Sequence, residues 1–195
     1  MLILIIGLIL FLGMHSTRIF AEDKREAFIA KRGEQAWKGL YAVVSLIGFV
    51  LIIWGYGQGR VTAPVLYVAP FWMVHVVWLL MIPAIILFCM SGAPGGRIKA
   101  WVKHPQLAAV KIWAFSHLLV NGDLASIILF GSFLIWAVVD RISARRRAEA
   151  GIISEPEPGP VRNDVIAILI GLAIYFAFVL FLHRWLFGVS PGIAV

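Results

Sequence analysis

The residues in this chain best equipped to do chemistry are its five histidines. His15, His75, His117 and His183 fall within or close to long apolar runs, and His104 opens another. Hydrocarbon holds no water to satisfy an imidazole. A ring placed there needs a hydrogen-bond partner or a metal ion. Other chemistry is missing: no GxGxxG, HExxH or CxxC signature occurs, and no serine-protease or phosphate-loop motif. Asp123, Asp140 and Asp164 all sit at the ends of apolar runs, so the mid-membrane carboxylates of pumps and secondary transporters are absent. The one cysteine, Cys89, has no partner for an internal disulfide. Histidines so placed, with so little beside them, point to a cofactor.

The elements that must position these rings follow from composition. The chain has 195 residues, is 62% hydrophobic and only 14% charged, with a mean hydropathy of +0.94. A soluble domain is about 45–50% apolar. The expected fold class is all-α, a polytopic membrane helix bundle forming a single domain over 1–195. The first run, Met1 to Phe20, has no basic residue before it and no small-x-small cleavage site, so it reads as a retained helix rather than a signal peptide. Runs of membrane length fall at 1–20, 39–57, 70–90, 124–140 and 165–187. A shorter one, 106–120, lies between His104-Pro105 and the turn signal Asn121-Gly122-Asp123. It is counted as a sixth span, paired with the next as a tight hairpin. Lys111 inside it favours the competing reading, a helix lying in the interface, unless its amine snorkels to the headgroups.

The formal net charge is +7, yet the basic residues do not form a nucleic-acid patch; they cluster at span ends, as topology requires. With six spans, fifteen cations fall on one side, from Arg18, Lys24 and Arg25 through Lys103 and Lys111 to Arg147 and Arg162, and only Arg60 and Arg184 on the other. Positive charge stays in the cytoplasm, which puts both termini outward across a bacterial inner membrane, with the bilayer as the partner and no nucleic acid. Trp37, Trp54, Trp72, Trp101, Trp136 and Trp185 are expected near the interfaces, while Trp78 and Trp113 lie deeper. Residues 21–38 mix both signs and read as a solvated helix. Residues 141–164 read as a cytoplasmic Arg- and Pro-rich linker, extended and mobile.

Haem is the cofactor best matched to membrane helices that offer imidazole and little else. His104 and His117 are thirteen residues apart and would point roughly 220° apart on one straight helix, so that helix does not present both to one iron. By depth alone, His75, His117 and His183 make one layer, and His15 with His104 another. Each also has a purely structural reading. His183 and His75 suit the interface, His104 suits the cap of a helix opened by Pro105, and His15 or His117 would serve as a hydrogen-bonded interhelical residue.

Several segments carry a resemblance. They are Gly13-Met14-His15-Ser16, Trp37-Lys38-Gly39-Leu40-Tyr41, Lys103-His104-Pro105-Gln106, Ile112-Trp113-Ala114-Phe115-Ser116-His117-Leu118 and Asn121-Gly122-Asp123. Together they resemble the NnrU family of bacterial membrane proteins, named for an association with nitrate, nitrite and nitric oxide reduction, over nearly the whole chain. The same segments are similar to 15-cis-zeta-carotene isomerase, a haem b membrane enzyme acting on one double bond of a carotenoid. That similarity implies that His15 and His117 are axial haem ligands, metal-binding and cofactor-binding at once, between spans one and four. His104 belongs to the wider family's motif. His75 and Trp113 join it as candidate cofactor-binding residues, and an apolar polyene is the implied substrate.

Two departures bear on the chemistry. The isomerase has a Cys on the turn before its second ligand, where this chain has Ala114. Its basic and aromatic segment after the fifth span is here the proline-rich linker. Lys103-His104-Pro105 also resembles a motif of membrane methyltransferases that bind S-adenosylmethionine, but their following Tyr and Gly are Leu107 and Ala109 here, and their Glu-rich segment is missing. The expectation is a haem b protein, either a polyene cis-trans isomerase or a non-enzymatic redox protein of nitric oxide metabolism, with a purely structural membrane partner and an S-adenosylmethionine-dependent methyltransferase as lesser alternatives.

Overall fold

A computed structural model describes residues 1–191. Helices account for the fold: α1 (Leu2–His15), α2 (Thr17–Phe20), α3 (Glu22–Arg32), α4 (Glu34–Thr62), α5 (Met73–Gly92), α6 (Arg97–Val102), α7 (Pro105–Val120), α8 (Leu124–Glu149), α9 (Val161–Ala177) and α10 (His183–Phe187). A π turn, Phe178–Leu182, joins the last two. Among the described residues no strand forms beyond a single bridge between Val65 and Asp123. The chain is an all-α helical bundle. Four helices are long and apolar enough to cross a membrane: Glu34–Thr62, Met73–Gly92, Leu124–Glu149 and the continuous stretch Val161–Phe187. Of the two other predicted spans, α1 has 14 residues and α7 has 16.

The chain divides into two compact units: residues 1–68 with 121–143, and residues 69–120 with 144 onward. In the first unit α1 lies antiparallel against α4, and glycine makes the approach possible. A Cβ on Gly48 would stand 2.7 Å from the Phe11 nitrogen, and one on Gly7 2.7 Å from the Ile52 nitrogen. A Cβ on Gly55 would collide with the backbone of Leu4. Close packing of small residues replaces the hydrophobic drive that is lost in lipid. The outer face of α4 has the opposite character. Val43, Leu46, Ile47, Val50 and Ile53 are exposed while Ser45, Gly48, Ile52, Gly55 and Gly59 are buried. Apolar side chains outward and glycines inward fit a membrane protein.

The first part of α8 completes this unit. Ala125 sits against Gly59, and the Tyr56 hydroxyl meets Ser126 Oγ at 2.9 Å. Phe133 meets Phe11 at 5.8 Å between ring centroids. Asp123 caps the helix, accepting the Ser126 N–H at 2.9 Å. The turn before it is pinned by the 64–67 segment: Leu66 N–H donates to the Gly122 carbonyl at 2.8 Å and Leu124 N–H to that of Pro64 at 3.0 Å. A side chain at Gly122 would strike the Tyr67 carbonyl. The Asn-Gly-Asp turn signal is therefore also a docking point.

In the second unit α5 packs against both α7 and α9. A Cβ on Gly171 would stand 2.8 Å from Ile86 Cα, and the Tyr175 hydroxyl donates to the Trp78 carbonyl at 3.1 Å. Asp164 is buried and caps α6, accepting the Arg97 N–H at 2.8 Å and the Ile98 N–H at 3.2 Å. Gly96 leaves room for that carboxylate.

Boundaries differ from the sequence reading in one informative way. α4 begins at Glu34, ahead of its apolar run, and α8 continues to Glu149, past Asp140. Arg145, Arg146 and Arg147 are thus helical rather than part of the 141–164 linker. A helix does not stop where lipid stops: its backbone bonds continue into polar residues, aided by pairs such as Arg145–Glu149 at 2.7 Å. The extended part of the linker makes two contacts with the 95–103 segment. Lys103 Nζ pairs with Glu155 at 2.6 Å, and Gly159 lies against the Gly95 carbonyl.

Candidate functional site

His15 ends α1, in the first unit. Its Nδ1 lies 2.7 Å from the carbonyl of Phe11, one turn earlier. A carbonyl only accepts, so Nδ1 carries the proton and a neutral ring presents its lone pair at Nε2. This is the arrangement by which a hydrogen bond fixes the tautomer and orientation of a metal-binding imidazole. The ring stacks on Phe11 at 4.2 Å and lies 5.1 Å from Tyr41 and 5.9 Å from Trp136, edge-on to the latter. It also lines an open cleft of about 500 Å3, together with Trp37, Tyr41 and the cations Arg18, Arg25 and Lys38.

The Trp136 Nε1 is buried without a hydrogen-bond partner among the described residues. Buried N–H groups are rarely left so. Phe11, Tyr41 and Trp136 were not singled out as site residues in the sequence. Only the spacing of Phe11, one turn before His15, could have suggested it.

His117 belongs to the second unit and repeats the motif. Its Nδ1 lies 2.8 Å from the Trp113 carbonyl, again one turn earlier, and the Trp113 ring stands 5.4 Å from its own. Trp113 is thus a neighbour of His117 on the same face of α7. Ser116 beside it is fully buried and donates to Ile112 O at 2.7 Å. Ala114, in the position that holds Cys in the isomerase, is also fully buried.

The other histidines are placed differently. His75 is exposed between Phe71 and Trp78, with Nδ1 3.3 Å from the Trp72 carbonyl, as an interfacial residue would be. His183 follows the π turn, and its Nδ1 lies 2.7 Å from the Val189 carbonyl. His104 precedes Pro105, the first residue of α7, and its carbonyl accepts the Ala108 N–H at 3.1 Å, the capping role expected of it. Its neighbour is unusual. Lys103 has φ +66° and ψ −49°, and His104 N–H donates to the Val102 carbonyl at 2.8 Å. This is a γ-turn of the rare, strained kind. Among the described residues no other non-glycine has positive φ.

Among the described residues, no three His, Cys, Asp or Glu side chains gather to hold a metal ion. Protein groups alone therefore do not complete a coordination shell there. A porphyrin brings four nitrogens of its own and asks the protein only for axial imidazoles. The ring geometry of His15 and of His117, each by itself, fits that demand, and the orphaned Trp136 N–H offers a donor beside His15.

No curated protein and no solved structure matches the chain. The family described as NnrU protein matches residues 3–191, nearly the whole length, so the chain belongs to the NnrU family.

Proposed function

We propose that this protein is a six-span inner-membrane haem b protein with His15 and His117 as axial ligands. The observation that carries the proposal is the ring motif the two residues share, each with its Nδ1–H held by the carbonyl one turn earlier. The similarity to the carotenoid isomerase supports the same pair. Haem would supply an iron that changes redox state and, at an open axial position, acts on an unsaturated ligand. The chain's own part is to orient imidazoles, with Phe11, Tyr41 and Trp136 packed around one of them and Trp113 beside the other. On this reading the substrate is an apolar polyene entering from the lipid.

A second reading, a redox protein supporting nitric oxide metabolism, is favoured by Ala114. With His15 and His117 both holding the iron, the buried Ala114 would offer no thiol to exchange for either of them. The test is absorption of the full chain purified with ample haem supply. A Soret band that shifts or is lost in His15→Ala and in His117→Ala supports the ligand assignment, and its absence from the wild-type protein overturns it. Conversion of a cis-polyene by the reduced protein selects the isomerase, whereas a reversible redox couple with no conversion selects the carrier.

A further inference from the structure

The cleft beside His15 joins two kinds of surface. Part of its lining is apolar and aromatic, from Met14, Trp37 and Tyr41, and part is charged, from Arg18, Arg25 and Lys38 with one acid, Glu34, beside Lys38. Arg25 is fixed in place. Its guanidinium lies 6.0 Å from the centre of the Trp37 ring and donates to Glu22 at 3.1 Å. That contact uses one of its five N–H donors. Lys38 likewise gives one contact to Glu34, at 2.9 Å, from an ammonium with three. Between residues 14 and 41 there are six cations against four acids, so the local field favours an anion. Exposed Phe20 and Leu40 stand near the same end of α1 and α4, where an apolar helix gives way to the charged α3. A ligand that meets the aromatic and the cationic parts of this lining at once has an apolar body and an anionic head.

We propose that this cleft is a binding site for an anionic phospholipid, with the headgroup phosphate on Arg25 and Lys38 and the acyl chain along Met14, Trp37 and Tyr41. The cleft shares His15 and Tyr41 with the surroundings proposed for the haem ligand, but the lipid assignment rests on Arg25, Lys38, Met14 and Trp37 and is read without haem. Arg25 is a fork of donors suited to phosphate oxygens, and basic residues at a membrane surface attract anionic lipid.

The test is native mass spectrometry of the full chain in detergent, titrated with phosphatidylglycerol or phosphatidylcholine. The first phosphatidylglycerol is expected to bind at least about fivefold more tightly than phosphatidylcholine. The double variant Arg25→Gln, Lys38→Gln is expected to lose that preference while keeping the wild-type circular dichroism and melting transition. The variant Arg145→Gln, Arg146→Gln, with the same charge change elsewhere, is expected to keep it. Equal binding of the two lipids by the wild-type protein, or a preference that survives in the first variant, overturns the proposal. Displacement of the lipid by millimolar inorganic phosphate would make the free anion the ligand and overturn the lipid assignment. Retention of the lipid in phosphate supports it.

Discussion

A histidine on a membrane helix has the carbonyl one turn earlier within reach of its Nδ1. That one bond turns a residue otherwise awkward in hydrocarbon into an oriented ligand. The sequence placed His15 and His117 in apolar surroundings, but the tautomer is visible only once the rotamer brings Nδ1 to the Phe11 or Trp113 carbonyl. Trp136 shows the same limit: its position near a span end suggested the interface, and only packing shows its N–H buried. Lys103 was legible as part of a motif but not as a strained residue. Since L side chains disfavour its conformation, Lys103→Gly is expected to be more stable than Lys103→Ala by about 1 kcal/mol. Both variants lose the Glu155 pair equally, and glycine's greater unfolded-state freedom works against Lys103→Gly, so a higher midpoint for it sets a lower bound on the backbone strain. A higher midpoint for Lys103→Ala would mean that Lys103 is not strained.

At the scale of elements, the glycines of α4 sort into two kinds. A Cβ on Gly48 would stand within 3.0 Å of the α1 backbone, whereas one on Gly57 would meet nothing within 4 Å. Gly48→Ala is expected to destabilise by about 1–3 kcal/mol through overpacking. Gly57→Ala is expected to gain about 0.5–1 kcal/mol by restricting a mid-helix glycine. Thermal unfolding in detergent separates the two, and equal effects would argue against the α1–α4 contact. Asp164→Ala should cost about 1–3 kcal/mol by stripping two N–H groups of their acceptor; a neutral effect would mean that water replaces the cap. The six apolar runs all became helices, because hydropathy and the Pro105 and Asn-Gly-Asp signals act locally. The 106–120 run matches α7 to within one residue, whereas α4 starts before its run and α8 outlasts its own, because a hydropathy run marks lipid depth rather than helix length. The α1–α4 seam was not legible, since nothing in the spacing of Gly48, Gly55 and Gly59 names the partner helix.

For the whole molecule, the outward apolar face of α4 and four membrane-length helices agree with the composition. The finer topology proposed above makes a sharp demand on α7, whose 16 residues would cross only by using snorkelling at Lys111. Single cysteines placed at residues 24 and 147 in a Cys89→Ala background are expected to react with a membrane-impermeant maleimide from the cytoplasmic face only, and one at residue 67 from the outer face only. Labelling of residues 24 and 147 from opposite faces would make α7 interfacial and reduce the span count. The central claim, that imidazole on these helices serves iron, is tested most directly by one spectrum. The full chain, made with ample haem and purified, is expected to show a Soret band with the low-spin signature of two histidine ligands, altered separately by His15→Ala and by His117→Ala. Colourless wild-type protein, or a band indifferent to both substitutions, would contradict it.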